Sequence, residues 1–187
     1  MMKRLFIGIP VVSEKAVGQV QAWRTEPELE GTVLKWTKPE NWHLTLIFLG
    51  NTPESLIDQL QNLIVESFAE VSAFQTRISG IGVFPNTHNP KVLWLGVENI
   101  QPLMPGYNRL TELLRQNDFS SDNKPLKPHL TLARIRNSYH NNSIESMIEK
   151  YQNADFGSVI IQRVVLFESI LTPEGPVYKP LFVKKLK

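Results

Sequence analysis

Apolar residues recur along the chain with two different periods, and these periods separate predicted strands from predicted helices. Short apolar runs bounded by proline, glycine or asparagine predict strands at residues 5–9, 33–36, 44–49, 74–83, 92–97, 130–133, 159–171 and 178–183. Apolar residues spaced three or four positions apart predict helices at residues 14–24, 53–68, 102–117 and 143–151. Ser13 and Thr52 are expected to cap the first two helices, because their hydroxyl oxygens can accept a bond from a free N–H of the first turn.

The order of these elements predicts the α+β class, with strands that are joined by short links and therefore pair antiparallel. A strand–helix–strands pattern begins at residue 44 and is repeated from residue 130. The repetition predicts two pseudo-symmetric lobes within a single bilobal domain that covers residues 1–187. Each lobe is expected to be a mostly antiparallel sheet with helices on its outer face.

Composition narrows the possible classes of protein. With 42% hydrophobic residues among 187, the chain can bury a sizeable core. The 20 basic and 18 acidic side chains are nearly balanced, which argues against a strongly basic coat for nucleic acid. Residues 120–187, however, hold 10 basic and 6 acidic side chains. This local excess suits a small anionic substrate or a short RNA end, and a merely solubilising surface is the alternative interpretation.

The same composition bears on location and redox chemistry. The chain has no cysteine, which excludes disulfides, thiolate chemistry and cysteine-ligated metals. The first apolar run is interrupted by Pro10 and is interpreted as a buried strand, not as a signal peptide. No stretch approaches the roughly 18 apolar residues that a transmembrane helix needs. We expect a soluble, cytoplasmic and monomeric protein without membrane contact.

The strongest chemical signal is the tetrapeptide His-Leu-Thr-Leu, which occurs at residues 43–46 and again at 129–132. Both copies fall in predicted strands, where successive side chains point to opposite faces. His43 and Thr45 should therefore point one way, and the leucines and Phe48 the other way. If the lobes face each other, two imidazoles and two hydroxyls converge in one cleft.

Two imidazoles and two hydroxyls suit hydrolysis of a phosphodiester without a metal. A neutral imidazole can take a proton from water while a protonated one gives a proton to the departing ribose oxygen. Threonine hydroxyls can donate hydrogen bonds to the non-bridging phosphate oxygens. No carboxylate stands at ligand spacing beside either copy, so neither a metal nor a cofactor is expected. A lone histidine is more often structural, but two identical copies in register favour function. The other histidines, His88 and His140, lie among asparagines and are predicted to be solvated.

The doubled His-x-Thr-x motif resembles that of the two-histidine phosphoesterase superfamily. The whole chain resembles its bacterial RNA 2′,3′-cyclic phosphodiesterase branch, the LigT-like proteins also called 2′-5′ RNA ligases. The resemblance is carried by residues 4–7, 36–50, 82–85, 92–96, 127–134, 167–169 and 175–178. It implies a two-lobed α+β fold around a central cleft. It also implies hydrolysis of RNA or a nucleotide that bears a 2′,3′-cyclic phosphate to a 2′-phosphomonoester.

The resemblance further implies residue roles, with His43 as proton donor, His129 as proton acceptor and Arg134 near the phosphate. In a regular strand Arg134 would face away from His129, so a β-bulge or a reach round the strand end is expected. Lys91 stands where an arginine is expected, which leaves any substrate role there in doubt. Glu168 is either a third polar group near the cleft or a strand-edge surface residue.

Two alternatives remain open at this point. One is a 2′-5′ RNA ligase that acts on tRNA halves in the same cleft. The other is a non-catalytic protein that binds RNA ends and stacks a base on an aromatic ring. Trp36, Phe84 and Trp94 are the candidate rings, and each is equally well interpreted as a core residue. We expect substrate binding by Thr45, Thr131, Arg134, Trp36 and Phe84.

Overall fold

The computed structural model describes residues 1–26, 29, 32–121, 125–138, 141–173 and 175–187. Its strands are β1 Met2–Pro10, β2 Thr32–Trp36, β3 His43–Pro53, β4 Phe74–Phe84, β5 Val92–Glu98, β6 His129–Ser138, β7 Asp155–Ile161, β8 Arg163–Thr172 and β9 Gly175–Lys185. Its helices are α1 Glu14–Trp23, α2 Ile57–Ser67, α3 Met104–Gln116 and α4 Asn141–Tyr151. His140 and residues 122–124 lie outside the described residues, so the prediction of a solvated His140 stays a prediction.

All nine strands form one antiparallel sheet in the order β7-β4-β5-β6-β3-β1-β8-β9, with β2 added beside β6. At its centre β3 and β6 pair through a single position, Leu44 opposite Leu130. Four strands of this order lie on each side of the seam, and each set begins with a strand that carries the His-Leu-Thr-Leu motif. The predicted α+β class with two pseudo-symmetric halves is therefore confirmed.

Two helices cover each half of the sheet. Helix α1 contacts β7 and α4 contacts β4, whereas α2 contacts both α3 and β9. Trp23 at the end of α1 meets Tyr151 of α4 edge-on, with ring centroids 5.1 Å apart. Ser13 caps α1 as predicted, since its oxygen accepts a bond from the N–H of Ala16 and its hydroxyl donates to the carbonyl of Phe156. Burial of an aliphatic or aromatic side chain contributes about 1.5–3 kcal/mol, so the core stabilises both halves.

The predicted cap at Thr52 is wrong. Thr52 is buried within β3, opposite Lys3 of β1, and the β1–β3 pairing continues to Met2 opposite Pro53. A short 3₁₀ turn, Glu54–Leu56, then leads into α2, whose first residue is Ile57. The pairing with β1 is long-range, and it outweighs the local capping signal at Thr52.

The predicted single strand at residues 159–171 is also wrong. The chain bends at Gln162 and divides into β7 and β8. Strand β7 pairs with β4 at one edge of the sheet, whereas β8 pairs with β1 and β9 in the other half. The apolar run is interrupted at this point by Gln162 and Arg163, which are both polar and exposed. This polar pair marks the break, and the predicted strand should have ended there.

Candidate active site

The two histidine–threonine pairs meet at the seam between β3 and β6. Leu44 lies opposite Leu130 and both are buried. Continued by one residue in each direction, this antiparallel register sets His43 opposite Thr131 and Thr45 opposite His129, all on the face away from the leucines. The predicted convergence of two imidazoles and two hydroxyls is therefore present in the structure.

The two imidazole rings are held in the same way. The Nδ1 atom of His43 lies 2.7 Å from the carbonyl oxygen of Asn41, and Nδ1 of His129 lies 2.6 Å from that of Lys127. A carbonyl oxygen can only accept, so each Nδ1 must carry the hydrogen and donate it. Nε2 of each ring is therefore the atom left to bind or release a proton.

Aromatic side chains surround His43. The ring centroids of Phe6 and Tyr178 lie 4.7 Å and 4.9 Å from that of His43. Burial lowers the pKa of His43, the carbonyl of Asn41 acts in the opposite direction, and the nearby charge of His129 lowers it further. Burial also raises the pKa of the Tyr178 hydroxyl. In the free protein the neutral form of His43 is favoured.

His129 has a similar but distinct environment. The rings of Phe84 and Trp94 lie 4.9 Å and 6.4 Å from it. Burial lowers the pKa of His129, the carbonyl of Lys127 partly opposes this, and the positive charge of Lys127 lowers the pKa further. A neighbouring cation thus adds to burial in keeping His129 neutral.

A β-bulge turns Arg134 toward the cleft, as the sequence predicted. Trp94 lies opposite Thr131, and Leu93 lies opposite Ala133, so Leu132 is an extra residue in β6. Two successive residues of β6 are buried at the bulge, and the alternation then resumes one position later. Arg134 therefore lies on the same side of the sheet as Thr131, and both line the cleft.

The equivalent bulge in β3 overturns the prediction for Phe48. Gly8 lies opposite Thr45, and Ile7 lies opposite Ile47, so Leu46 is the extra residue. Phe48 consequently faces the cleft and not the core, with the guanidinium carbon of Arg4 4.9 Å from its ring centroid. By the pseudo-symmetry of the two motifs, Phe48 occupies the position that corresponds to Arg134.

His43, Thr45, Thr131 and Arg134 line a cleft of about 620 Å³, whereas His129 lies across the seam and does not line it. One part of its wall is aromatic and apolar and includes Phe6, Phe48 and Tyr178. Among the described residues no carboxylate lines it, whereas four cationic side chains do, namely Arg4, Lys35, Lys38 and Arg134. The cleft therefore offers a positive potential beside one imidazole and two hydroxyls, with the second imidazole across the seam, and this arrangement suits an anionic ester.

Residues 12–169 match the family described as the 2′-5′ RNA ligase superfamily. The chain belongs to this superfamily. Two relatives carry the name RNA 2′,3′-cyclic phosphodiesterase. The protein from Archaeoglobus fulgidus is 35% identical over 83% of this chain and 86% of its own length. The protein from Thermotoga maritima is 34% identical over 96% of this chain and 93% of its own length.

A solved structure supports the same relationship. A crystal structure of a protein from Thermus thermophilus is similar to this chain with a TM-score of 0.77 and 28% identity, over 98% of this chain and 97% of that one. The resemblance inferred from the motifs is therefore confirmed, and so is the fold that it implied.

In this member of the 2′-5′ RNA ligase superfamily, two of the three candidate stacking rings, Trp36 and Phe84, occupy different places. Trp36 borders the cleft, but it lies opposite buried Ala133, packs against the core and holds its ring 5.6 Å from the guanidinium carbon of Arg24. Phe84 adjoins His129 and lies under the ammonium of Lys127 at 5.5 Å. A stacking role for either ring stays a prediction.

Three further residues singled out in the sequence lie away from the reacting groups. Glu168 bonds Lys3 at 3.0 Å, and β8 alternates so that Glu168 faces away from the side on which Ser169 lines the cleft. The backbone N–H of Lys91 donates a hydrogen bond to the carbonyl of Phe84, and its carbonyl accepts one from the N–H of Ile135. The side chain of Lys91 is exposed. Neither side chain lines the cleft. His88 is exposed, as predicted.

Sequence reasoning missed several residues of the cleft wall, including Phe6, Tyr178, Arg4 and Lys35. Each reaches the cleft through pairing between distant strands, for which no local pattern exists. Within the described part of the chain, no group of three or more histidine, aspartate or glutamate side chains could hold a metal ion. None of the described helices is long and apolar enough to cross a membrane.

Proposed function

We propose that this protein hydrolyses RNA 2′,3′-cyclic phosphate ends to 2′-phosphomonoesters by acid–base catalysis with two histidines and without a metal. Relatives that share most of their length with this chain are named RNA 2′,3′-cyclic phosphodiesterases. The observation that carries the proposal is the twinned site, in which two imidazoles are held through Nδ1 and leave Nε2 free beside two threonines. Residues 1–187 act as one catalytic domain in this account.

The two histidines have different tasks in this proposal. Nε2 of His129 takes a proton from water as the water oxygen attacks phosphorus. Nε2 of His43 gives a proton to the 3′ oxygen as its bond to phosphorus breaks, which leaves the phosphate on the 2′ oxygen. The charge of Lys127 supports this assignment, since it favours the neutral form of His129. A bound phosphate anion favours the protonated form of His43.

Thr45, Thr131 and Arg134 hold the phosphate in this proposal. The threonine hydroxyls alternate with the imidazoles across the seam, so each can donate a hydrogen bond to a non-bridging oxygen. The bulge at Leu132 brings the guanidinium of Arg134 to the same side. Donors aimed at an oxygen that gains charge in the transition state contribute about 10²–10³ in rate each.

The test is incubation with a nucleoside 2′,3′-cyclic phosphate in excess EDTA, followed by phosphorus NMR of the product. We expect the 2′-phosphomonoester, formed at the same rate with and without EDTA. Absence of turnover by the folded protein would favour an RNA-end binder. A 3′-phosphomonoester product would mean that the 2′ oxygen leaves, which contradicts the proposed geometry. Ligation of RNA ends would break the same bond with a 5′-hydroxyl in place of water as the nucleophile, and hydrolysis should dominate because water is present in large excess.

A further inference from the structure

The cleft carries more positive charge than one cyclic phosphate can neutralise. Four cationic side chains border it, and no carboxylate of the described residues does. A 2′,3′-cyclic phosphate is a diester with a single negative charge. Uncompensated like charges that face one cavity repel each other. The surplus therefore indicates a ligand with more than one anionic group.

Two of these cations lie directly opposite each other. Lys35 of β2 is the Cα partner of Arg134 of β6, so their side chains leave the sheet on the same face. Like charges at directly opposed positions destabilise a sheet unless something lies between them. The ammonium of Lys35 donates a hydrogen bond to the carbonyl oxygen of Pro173 at 3.5 Å. Lys35 therefore offers a positive charge for a second anionic group, next to the group that the threonines and Arg134 would hold.

The wall next to Lys35 is apolar. It is the end of the β8–β9 hairpin, where Leu171 lies opposite Pro176 and both line the cleft. Leu171 is 68% exposed, which is high for a leucine that faces a cavity. The side chain of Asn41 donates to the carbonyl of Pro176 at 3.4 Å, and this holds the hairpin against the segment that precedes His43. A nucleoside could cover the apolar wall while its phosphate meets the cationic one.

We propose that the cleft beside Lys35 and Lys38 binds the phosphodiester that joins the terminal nucleotide to the preceding one, with the preceding nucleoside packed on Leu171 and Pro176. The inference rests on the proposed function and deepens it. The substrate is an RNA chain of at least two nucleotides that ends in a cyclic phosphate, in preference to a cyclic mononucleotide. Arg134 then binds the reacting phosphate. Lys35 binds the additional phosphodiester, which an RNA chain has and a cyclic mononucleotide lacks.

The experiment compares adenylyl-adenosine 2′,3′-cyclic phosphate with adenosine 2′,3′-cyclic phosphate at several salt concentrations. The assays use the native protein and two variants, Lys35→Gln and Lys185→Gln. Lys185 is an exposed lysine at the far end of β9, so its replacement by glutamine removes the same charge as Lys35→Gln does. The native protein should favour the dinucleotide about tenfold in kcat/KM, the size of one charge-assisted contact. Its plot of log kcat/KM against log salt should be steeper for the dinucleotide by about 0.7, the value for one added phosphate contact.

Lys35→Gln should lose both the preference and the additional slope, and Lys185→Gln should keep them. Equal kcat/KM for the two substrates in the native protein would overturn the subsite. So would a Lys35→Gln variant whose kcat/KM falls by the same factor on both substrates. Thermal unfolding checks that the variants are folded. Should neither substrate be hydrolysed, the proposed function fails, and the subsite is then tested by binding alone. Equal affinity of the native protein and Lys35→Gln for the fluorescently labelled dinucleotide would overturn it as well.

Discussion

Gly8 of β1 packs directly behind the seam between β3 and β6, and a methyl group there should displace His43. Gly8 lies opposite Thr45. A Cβ at this position would lie 2.9 Å from the carbonyl oxygen of Leu44 and 3.4 Å from Cδ2 of His43. Since ordinary contact begins at 3.4 Å, β3 has to move by about 0.5 Å to admit it. The variant Gly8→Ala therefore changes the site without removing any functional group.

The size of the effect follows from that displacement. A misplacement of about 1 Å can lower a rate by about 10²-fold, so about 0.5 Å should lower kcat by about tenfold. KM should change less, because the threonines and Arg134 can still hold the phosphate. Overpacking a core position costs about 1–3 kcal/mol in the free energy of unfolding. Alanine also lowers the conformational entropy of the unfolded chain, which offsets this loss of stability by about 0.4–1 kcal/mol.

The matched control is Gly18→Ala in α1. Nothing lies within 4 Å of a Cβ at Gly18, and the position is exposed within a helix. Alanine there should raise the free energy of unfolding by about 0.5–1 kcal/mol and leave kcat unchanged. The assays are steady-state hydrolysis of a 2′,3′-cyclic nucleotide and urea denaturation. A folded Gly8→Ala variant with native kcat would refute the reasoning that β3 must hold His43 to within a fraction of an ångström.

Three other outcomes are expected. His43→Ala and His129→Ala should each lower kcat by about 10²-fold or more with little loss of stability, and full activity in either folded variant would remove that histidine from the mechanism. Thr45→Ser and Thr131→Ser should keep most activity while the valine variants lose about 10²–10³ in kcat, and detection of a phosphothreonine would contradict binding roles. In the free protein burial lowers the pKa of both histidines. The optimum of kcat/KM should therefore lie below the ordinary histidine pKa of about 6.5, and an optimum well above it would show that these pKa values are not depressed.

The parts of the site that the sequence could predict are those fixed by local alternation. His43 and Thr45 share a face because a strand has a period of two, and the second copy of the motif implied a facing partner. The bulge before Arg134 could be anticipated because a phosphate role required it. The matching bulge before Phe48 was missed, since no requirement pointed to it.

The remaining parts depend on pairing between distant strands. Lys35 acquires its significance only from lying opposite Arg134, and Tyr178 only from the return of β9 beside β8. Thr52 shows the converse, a local capping signal that long-range pairing with β1 overrides. Register between strands far apart in the chain is not encoded in any short pattern.

The central claim is that two imidazoles alone carry the proton transfers, and the pH dependence of kcat with and without excess EDTA tests it most directly. A base that must be neutral and an acid that must be protonated give a bell-shaped profile whose limbs belong to the coupled pair. A bound phosphate anion raises the pKa of both groups, so the optimum of kcat should lie slightly above the ordinary histidine value. We expect the same bell-shaped pH profile of kcat in the presence and in the absence of EDTA. Loss of activity in EDTA that returns with zinc or manganese would contradict it, and His43 and His129 would then be metal ligands.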